Sequence, residues 1–281
     1  MAIELTTPKW NWLQRLTGRG KTPIPVVRLH GVIAAEQRQG RLNIATVGPL
    51  LKRAFAIKAA PVVAIIVNSP GGSPVQSRLI AKRIRDLADE HNKPVLVFVE
   101  DAAASGGYFI AVAGDEIIAD PSSIVGSIGV IMAGFGFVGT LEKLGIERRV
   151  HTAGSNKSTL DPFLPEKKSD IERIKQVELD IHNVFIDVVK KRRGSKLKAA
   201  DDVLFTGEWW TGMRGLELGL VDAIGDIHET LHTRYGKEID LKMIEPKRPW
   251  FGIPRLGFSN GISGDIAATI EDRSIWARFG L

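Results

Sequence analysis

Short apolar runs alternate along the chain with segments whose apolar residues recur at helical spacing. The runs at 62–67 (VVAIIV) and 95–99 (VLVFV) are continuous and rich in β-branched residues, which is typical of strands buried on both faces. Residues 25–33 and 116–119 predict two further strands. Because helical segments separate these strands, the sequence predicts an α/β fold in which helices surround a mostly parallel sheet.

Helical spacing fills most of the chain between and after these strands. A short helix is predicted to end near Gly145. The longer predicted helices cover 50–59, 74–89, 105–113, 167–193 and 208–218.

Beyond residue 236 the periodic pattern weakens, and residues 246–264 are rich in Pro, Gly and Ser. We therefore expect an extended C-terminal tail over 237–281, with one last amphipathic helix over 267–279. An N-terminal arm over 1–22 and a main domain over 23–236 complete the predicted organisation.

Composition and charge exclude some kinds of site but do not identify the function. Hydrophobic residues make up 44% of the chain and charged residues 25%, as in an ordinary globular protein. There is no cysteine, which excludes disulfides, a thiol nucleophile and a cysteine metal site. The net charge of +6 is scattered except for a basic run at 190–193. That run is either a solvated helix end or a contact with anionic lipid or nucleic acid, but no nucleic-acid-binding motif accompanies it.

The first residues suggest where the protein works. Residues 1–21 lack the apolar run of a signal peptide, and no window reaches the ~20 apolar residues of a membrane span. The sequence therefore predicts a cytoplasmic protein. Trp10 and Trp12 lie among basic residues, which predicts one of two roles. They form either a peripheral contact with the cytoplasmic face of a membrane or an arm that docks on the protein itself or on a neighbour.

Three glycine-containing turns follow the predicted strands. The first is NSPGG, which ends in Gly71 and Gly72, and a glycine pair can expose the backbone N–H groups that an oxyanion hole uses. The second, EDAAASGGY, places Ser105 where a strand gives way to a helix, so its hydroxyl lies at the edge where α/β sheets bind ligands. The third, VGSIGV, contains Ser127. Ser105 is either a nucleophile or a helix cap among small residues.

A serine nucleophile needs a base, and none of the six histidines lies in a glycine-rich turn. Lys157 lies in a loop of small residues, GSNKS, and a Ser–Lys pair is a known alternative to the triad. Lysine must be neutral to accept a proton. Lowering a lysine pKa from ~10.4 to ~7–8 requires about 4 kcal/mol, which burial against apolar walls can supply. A hydroxyl such as that of Ser127 could orient the amine without adding charge.

The five segments NSPGG, DAAASGGYFIA, VGSIGV, GSNKSTLDPF and TGEWWTGMRGLELGLVDAIG, in this order, resemble the signal peptide peptidase A family of serine peptidases. That family belongs to the Clp protease/crotonase fold superfamily, and the resemblance runs from about residue 24 to 225. It implies that Ser105 is the nucleophile, that Lys157 is the general base and that Ser127 orients the lysine. It also implies an oxyanion hole at Gly72 with Ser105 or Gly106, Gly71 being the less certain choice of the pair.

The resemblance further implies a peptidase domain over 23–236 that needs no metal or organic cofactor. Its substrates would be peptides, signal-peptide remnants or loosely folded proteins. The family forms ring-like or dome-like homo-oligomers, so Lys157 is expected to reach Ser105 within or between subunits. Two alternatives stay open at this stage. One is an acyl-CoA enzyme of the crotonase type, which needs no Ser–Lys pair, and the other is a non-catalytic assembly protein.

Overall fold

A computed structural model describes residues 21–38, 40–154, 156–246 and 262–281. The predicted N-terminal arm, with Trp10 and Trp12, lies almost wholly outside the described residues, and so does the Pro/Gly/Ser-rich segment 247–261. None of the described helices is both long enough and apolar enough to cross a membrane.

An eight-stranded sheet forms the centre of the described chain, with its longest path in the order β10-β1-β4-β5-β6-β9. A separate pair, β2 and β3, lies beside it. The strands are β1 (Thr22–His30), β2 (Val32–Ile33), β3 (Arg41–Leu42), β4 (Val63–Ser69), β5 (Val95–Ala104), β6 (Glu116–Ala119), β7 (Ile124–Gly126), β8 (Trp209–Thr211), β9 (Ala223–Ile224) and β10 (Ile239–Met243).

The pairing along this path is parallel, which confirms the predicted α/β fold with a mostly parallel sheet. Every residue of β4 is buried, as its continuous apolar run predicts for a central strand covered on both faces. β5 is longer than predicted, because it continues past Val99 to Ala104 and pairs there with β7. The small residues Ala102, Ala103 and Ala104 carry the chain to the edge of the sheet without a break.

Helices pack on both faces of the sheet. They are α1 (Ile44–Phe55), α2 (Pro74–His91), α3 (Gly106–Ala111), α4 (Val138–Lys143), α5 (Lys168–Arg193), α6 (Asp201–Leu204), α7 (Gly212–Leu218), α8 (Ile227–Tyr235) and α9 (Ile262–Ala277). α1 begins six residues before its predicted start, because Asn43 and Thr46 form a capping box upstream of Pro49.

The predicted helix over 208–218 is partly wrong. Its first residues form β8, which pairs antiparallel with β7, and Thr211 then caps α7. The reason is the fit of Trp210 against Gly126, where a Cβ would lie 2.8 Å from the indole ring. Only a glycine leaves room for that ring, so the pairing outweighs the helical pattern of the sequence.

The predicted tail also contributes to the sheet. β10 pairs parallel with β1, from Thr22 opposite Ile239 to Val26 opposite Met243. The predicted division between the main domain and the tail, at residue 236, therefore assigns β10 to the tail, although β10 is part of the central sheet. α9 overlaps the helix predicted over 267–279 and begins earlier, at Ile262.

The basic run at the end of α5 divides into two halves. Lys190 and Lys191 are exposed, as in the solvated helix end that is one interpretation of the sequence, whereas Arg192 and Arg193 bind the rest of the fold. Arg192 donates to the carbonyls of Val112 and Gly114 at 3.0 and 2.9 Å. Arg193 is only 4% exposed, and its guanidinium lies 2.6 Å from the Asp222 carboxylate. The Ile117 N–H of β6 also donates to Asp222, at 2.8 Å. This carboxylate thus links the end of α5 to the sheet.

We expect Asp222→Asn to lower the free energy of unfolding by about 3 kcal/mol, because it leaves the buried Arg193 charge without the carboxylate that neutralises it. Burial alone would raise the pKa of Asp222, but hydrogen bonds from Arg193, Lys196 and the Ile117 N–H outweigh it and the pKa lies below its ordinary value. The unfolded chain therefore binds the proton more readily. The stabilisation is complete above about pH 4 and is lost as the pH falls further.

Urea denaturation of wild type and variant at neutral and acidic pH measures both effects. Asp86→Asn is the matched control, because Asp86 forms an exposed pair with Lys82 one turn away on α2 and should contribute less than about 0.5 kcal/mol. Equal losses in the two variants would contradict a structural role for the Asp222 ion pair.

Candidate active site

Ser105 lies at the junction between β5 and α3, in a backbone conformation that is rare for a residue with a side chain. Its φ is +51° and its ψ is −121°. Such a conformation costs on the order of 1–3 kcal/mol and persists only where the surrounding structure enforces it. Here the Ser105 N–H donates to the Gly126 carbonyl at 2.8 Å, and the Phe109 N–H donates to the Ser105 carbonyl at 3.0 Å. The strain is therefore maintained by contacts on both sides of the residue.

The Ser105 side chain does not cap α3, although it stands at the capping position. This excludes the interpretation of Ser105 as a helix cap. The residue is half-buried and lines two adjoining cavities. Its hydroxyl is thus free for chemistry, at the carboxyl end of a central parallel strand.

The turn after β4 lies directly against the Ser105 turn. Gly71 and Gly72 have φ values of +105° and +137°, which only glycine adopts readily. A Cβ on Gly71 would lie 2.8 Å from both the Ser105 Cβ and the Gly106 nitrogen. A Cβ on Gly72 would lie 2.0 Å from the Ile33 carbonyl oxygen, which accepts from the Ser73 N–H at 2.8 Å. The glycine pair therefore fits between the Ser105 turn and the chain that follows β1.

The peptide units of Gly72 and Gly106 lie next to each other beside the Ser105 turn. A Cβ on Gly106 would lie 3.3 Å from the Gly72 nitrogen, so these two peptide units are neighbours. Gly106 is the first residue of α3, and a helix has no internal acceptor for its first N–H groups. The Gly71 N–H, in contrast, donates to the Ser69 hydroxyl at 3.2 Å. The Gly71 N–H is thus already bonded within its own turn, whereas the Gly72 nitrogen lies next to Gly106.

The smaller cavity beside Ser105 is apolar and has a volume of about 220 Å³. Phe109 and Phe185 form part of its wall, with ring centroids 4.9 Å apart. Val130 and Val184 also line this cavity. This cavity can accept one apolar side chain next to the hydroxyl.

The larger cavity, about 610 Å³, also contains Ser127 and His182. We call it the cleft. Ser127 has a positive φ of +53°, and its N–H donates to the Glu208 carbonyl at 2.6 Å. His182 lies in the middle of α5, and its Nε2 is 2.9 Å from the Ile128 carbonyl oxygen. Sequence reasoning missed His182, because a histidine within a 26-residue helix carries no local motif.

Lys157 lies in an exposed loop and lines neither of the two cavities. Its N–H donates to the Gly154 carbonyl at 3.2 Å. Further along the loop, Asp161 accepts from the Phe163 N–H at 3.0 Å and from Arg148 at 2.9 Å, as expected for a turn residue. The Phe163 N–H and then the Arg148 guanidinium hold the pKa of Asp161 below its ordinary range. One chain alone therefore brings Ser105, Ser127, Gly72 and Gly106 together but leaves Lys157 in solvent.

The aromatic residues near the Ser105 turn have mainly packing roles. Tyr108 is fully buried, and its hydroxyl donates to the Leu220 carbonyl at 2.8 Å. Trp210 packs against the core. Trp209 differs, because it is 47% exposed and lies in the wall of the cleft.

Comparison with known proteins decides the family. The model of peptidase family S49 matches residues 88–241, more than half of the chain, and this segment contains both Ser105 and Lys157. The chain belongs to peptidase family S49. The resemblance to the signal peptide peptidase A family is confirmed. The glycine turn at Gly71 and Gly72 precedes the matched segment.

The relatives of this S49 chain include proteins that are much longer than it. It is 54% identical over 275 residues to a Brucella abortus protein named Na(+)/H(+) antiporter NhaA, and the match covers 93% of this chain and 37% of that protein. It is 33% identical to protease 4 of Haemophilus influenzae, over 74% of this chain and 34% of that one. The chain thus spans little more than a third of either relative. A solved mutant of the 1510-N membrane-bound stomatin-specific protease is 18% identical, with a TM-score of 0.49 over 81% of this chain and 99% of its own.

The strained backbone of the S49 serine generates a test that does not depend on activity. We expect Ser105→Gly to be more stable than Ser105→Ala by about 1 kcal/mol, because both variants lack the hydroxyl but only glycine relieves a positive φ. Thermal or urea denaturation measures the difference. Ser122 is the control position, since it is exposed and has no positive φ, so glycine there should be no more stable than alanine. An alanine variant at 105 as stable as the glycine variant would contradict the strain.

Proposed function

We propose that this chain is a serine peptidase that hydrolyses peptide bonds through an acyl-enzyme, with Ser105 as the nucleophile and Lys157 as the general base. The observation that carries the proposal is the strained Ser105 turn. Its hydroxyl does not cap α3 and lies beside the peptide units of Gly72 and Gly106. Membership of peptidase family S49 supports the same reaction.

The proposed cycle has two acyl-transfer steps. The neutral Lys157 amine takes the Ser105 proton while the Ser105 Oγ bonds to the substrate carbonyl carbon, and the Gly72 and Gly106 N–H groups bind the resulting oxyanion. The C–N bond then breaks, and Lys157 returns the proton to the leaving amine. Water next attacks the ester carbonyl carbon and gives one proton to Lys157. Lys157 passes this proton to the Ser105 Oγ as the ester C–O bond breaks, and the new carboxylic acid leaves and loses its remaining proton to solvent. Ser127 orients the amine in this cycle.

The exposed position of Lys157 supports a dyad completed between subunits. A lysine amine in water is protonated at neutral pH and accepts no proton, so a base needs burial. The segment that precedes Lys157 exposes several apolar side chains, among them Ile131, Phe135 and Leu144 at 61%, 81% and 65%. Exposed apolar surface of this kind is typical of an interface. A neighbouring copy packed on this segment would bury Lys157 and bring it to the neighbour's Ser105, in the ring-like or dome-like oligomer expected from the sequence.

The proposed substrates are peptides, signal-peptide remnants or loosely folded proteins, because an extended segment can lie along the backbone of Gly71 and Gly72 as an added strand. The 220 Å³ apolar cavity favours one modest-sized apolar side chain at the cleaved bond. The cytoplasmic location expected from the sequence stays a prediction, as does the absence of any cofactor from the reaction.

The dyad is tested with a fluorophosphonate probe and a peptide library. We expect the probe to label wild type and not Ser105→Ala, since it reacts with activated serine hydroxyls. We expect Lys157→Ala to lose peptide cleavage by about a thousandfold or more while keeping the native fold. Cleavage is measured by mass spectrometry of the products, and folding by circular dichroism.

Lys58→Ala is the matched control, because Lys58 is also exposed, lies outside both cavities and does not belong to the segment proposed as the interface. It should cleave the library as wild type does. Labelling that survives in Ser105→Ala would remove Ser105 as the nucleophile. Cleavage retained in Lys157→Ala would remove Lys157 as the base.

A mixing experiment tests whether the dyad spans two subunits. Ser105→Ala keeps the lysine and Lys157→Ala keeps the serine, so each should be inactive alone. Mixed and allowed to exchange subunits, they should regain activity, because an interface formed by one of each contains an intact pair. Activity of the wild type should also fall on dilution. Mixtures that stay inactive while subunit exchange is demonstrated would place the dyad within one chain.

A further inference from the structure

The C-terminal helix α9 and the residues after it form one wall of the cleft that contains Ser105. Ile275, Arg278 and Phe279 line the cleft from this side. They stand at helical spacing, three and four residues apart, so one face of the C-terminal segment points at the site. This wall comes from a segment that the family match at 88–241 does not include.

Three contacts hold this wall in place. The Asp272 carboxylate pairs with Arg41 at 2.9 Å, and the Trp276 ring stacks on His30 with centroids 6.0 Å apart. Phe279 meets the edge of Trp209 at 5.9 Å. Since Arg278 lies between the second and third of these contacts, the backbone at Arg278 is held on both sides.

The charges around the cleft are of one sign. Among the described residues that line the cleft, Arg278 is the one permanently charged side chain, and no Asp or Glu accompanies it. The apolar cavity next to it likewise contains Arg78 and no acidic residue. Within the described part of the chain Arg278 makes no ion pair or hydrogen bond, in contrast to Arg41, Arg192 and Arg193. The cleft therefore offers an unused guanidinium, and no carboxylate stands among its described lining residues.

We propose that Arg278 is a specificity-determining residue that selects peptides carrying a carboxylate close to the cleaved bond. The inference rests on the proposed peptidase function and names its substrate class. A guanidinium binds a carboxylate through paired, charge-assisted hydrogen bonds, while the same site gains nothing from an amide and repels an ammonium. The carboxylate has two sources, an acidic side chain or the free C-terminus of a short peptide.

Two peptide series distinguish these sources. In the first, acetylated and amidated peptides carry Glu, Gln or Lys at each position around a cleaved bond. In the second, one neutral peptide ends in either a free carboxylate or an amide. We expect wild type to favour the carboxylate in at least one series by about threefold to tenfold in kcat/KM, the range for a partly exposed charge-assisted bond. This preference should decline towards one at ~1 M salt, where charges are screened within ~3 Å.

Arg278→Gln should abolish the carboxylate preference, measured as the ratio of kcat/KM values between matched peptides. Arg273→Gln is the control, because Arg273 is an exposed arginine on α9, five residues before Arg278, and does not line the cleft. It removes the same charge and should keep the ratio. Any of three results would overturn the inference. The kcat/KM ratio between carboxylate and neutral peptides could be near one for wild type in both series, it could stay unchanged in Arg278→Gln, or it could fall equally in Arg273→Gln.

A measurement of peptide binding distinguishes failure of this inference from failure of the proposed peptidase function. Fluorescence anisotropy of the same labelled peptides on Ser105→Ala compares carboxylate with amide without turnover. Carboxylate-selective binding that depends on Arg278 supports the inference even if no peptide is cleaved. Ser105-dependent cleavage without carboxylate preference in rate or binding would keep the peptidase and reject the role of Arg278.

Discussion

The close contact between two backbone turns is the constraint on which the rest of the site depends. The Gly71–Gly72 turn after β4 and the Ser105–Gly106 turn after β5 approach so closely that a single added Cβ would overlap atoms of the other turn or of Ile33. Neighbouring parallel strands end at the same edge of a sheet, so their turns meet there. A register shift between Val67 and Ser69 accompanies this meeting, as the two strands change from regular pairing to the turns.

This contact explains why the Ser105 turn can remain strained. A positive φ at a serine is unfavourable by itself, and it persists because neighbouring elements leave no alternative. The Gly126 carbonyl holds the Ser105 N–H from β7, while Gly107 packs so closely on Ser69 that a Cβ there would lie 2.4 Å from the Ser69 carbonyl oxygen. β7 is in turn held by β8 through the Gly126 and Trp210 contact. The conformation of one residue thus depends on four strands.

Sequence patterns predicted the parts of this arrangement that local chemistry determines. The apolar runs of β4 and β5 gave the central strands, and the glycine pair and the small residues around Ser105 gave the two turns. The patterns did not predict β8 or β10, because both are short strands whose existence depends on a partner distant in the chain. His182 and Arg278 were missed for the same reason. His182 lies within α5 and Arg278 lies in the turn directly after α9, neither belongs to a motif, and only packing brings them to the cleft.

The position of Lys157 has a further consequence for the proposed enzyme. A hydroxyl held in a strained turn is present in every folded chain, but Lys157 lies in an exposed loop and does not line the cleft that contains this hydroxyl. If a second subunit supplies the burial, the neutral amine that a general base requires is favoured only in the assembled protein. Assembly would then form the oligomer and also create the general base. A single folded chain would contain the serine in its strained turn but would be inactive, because it lacks the base.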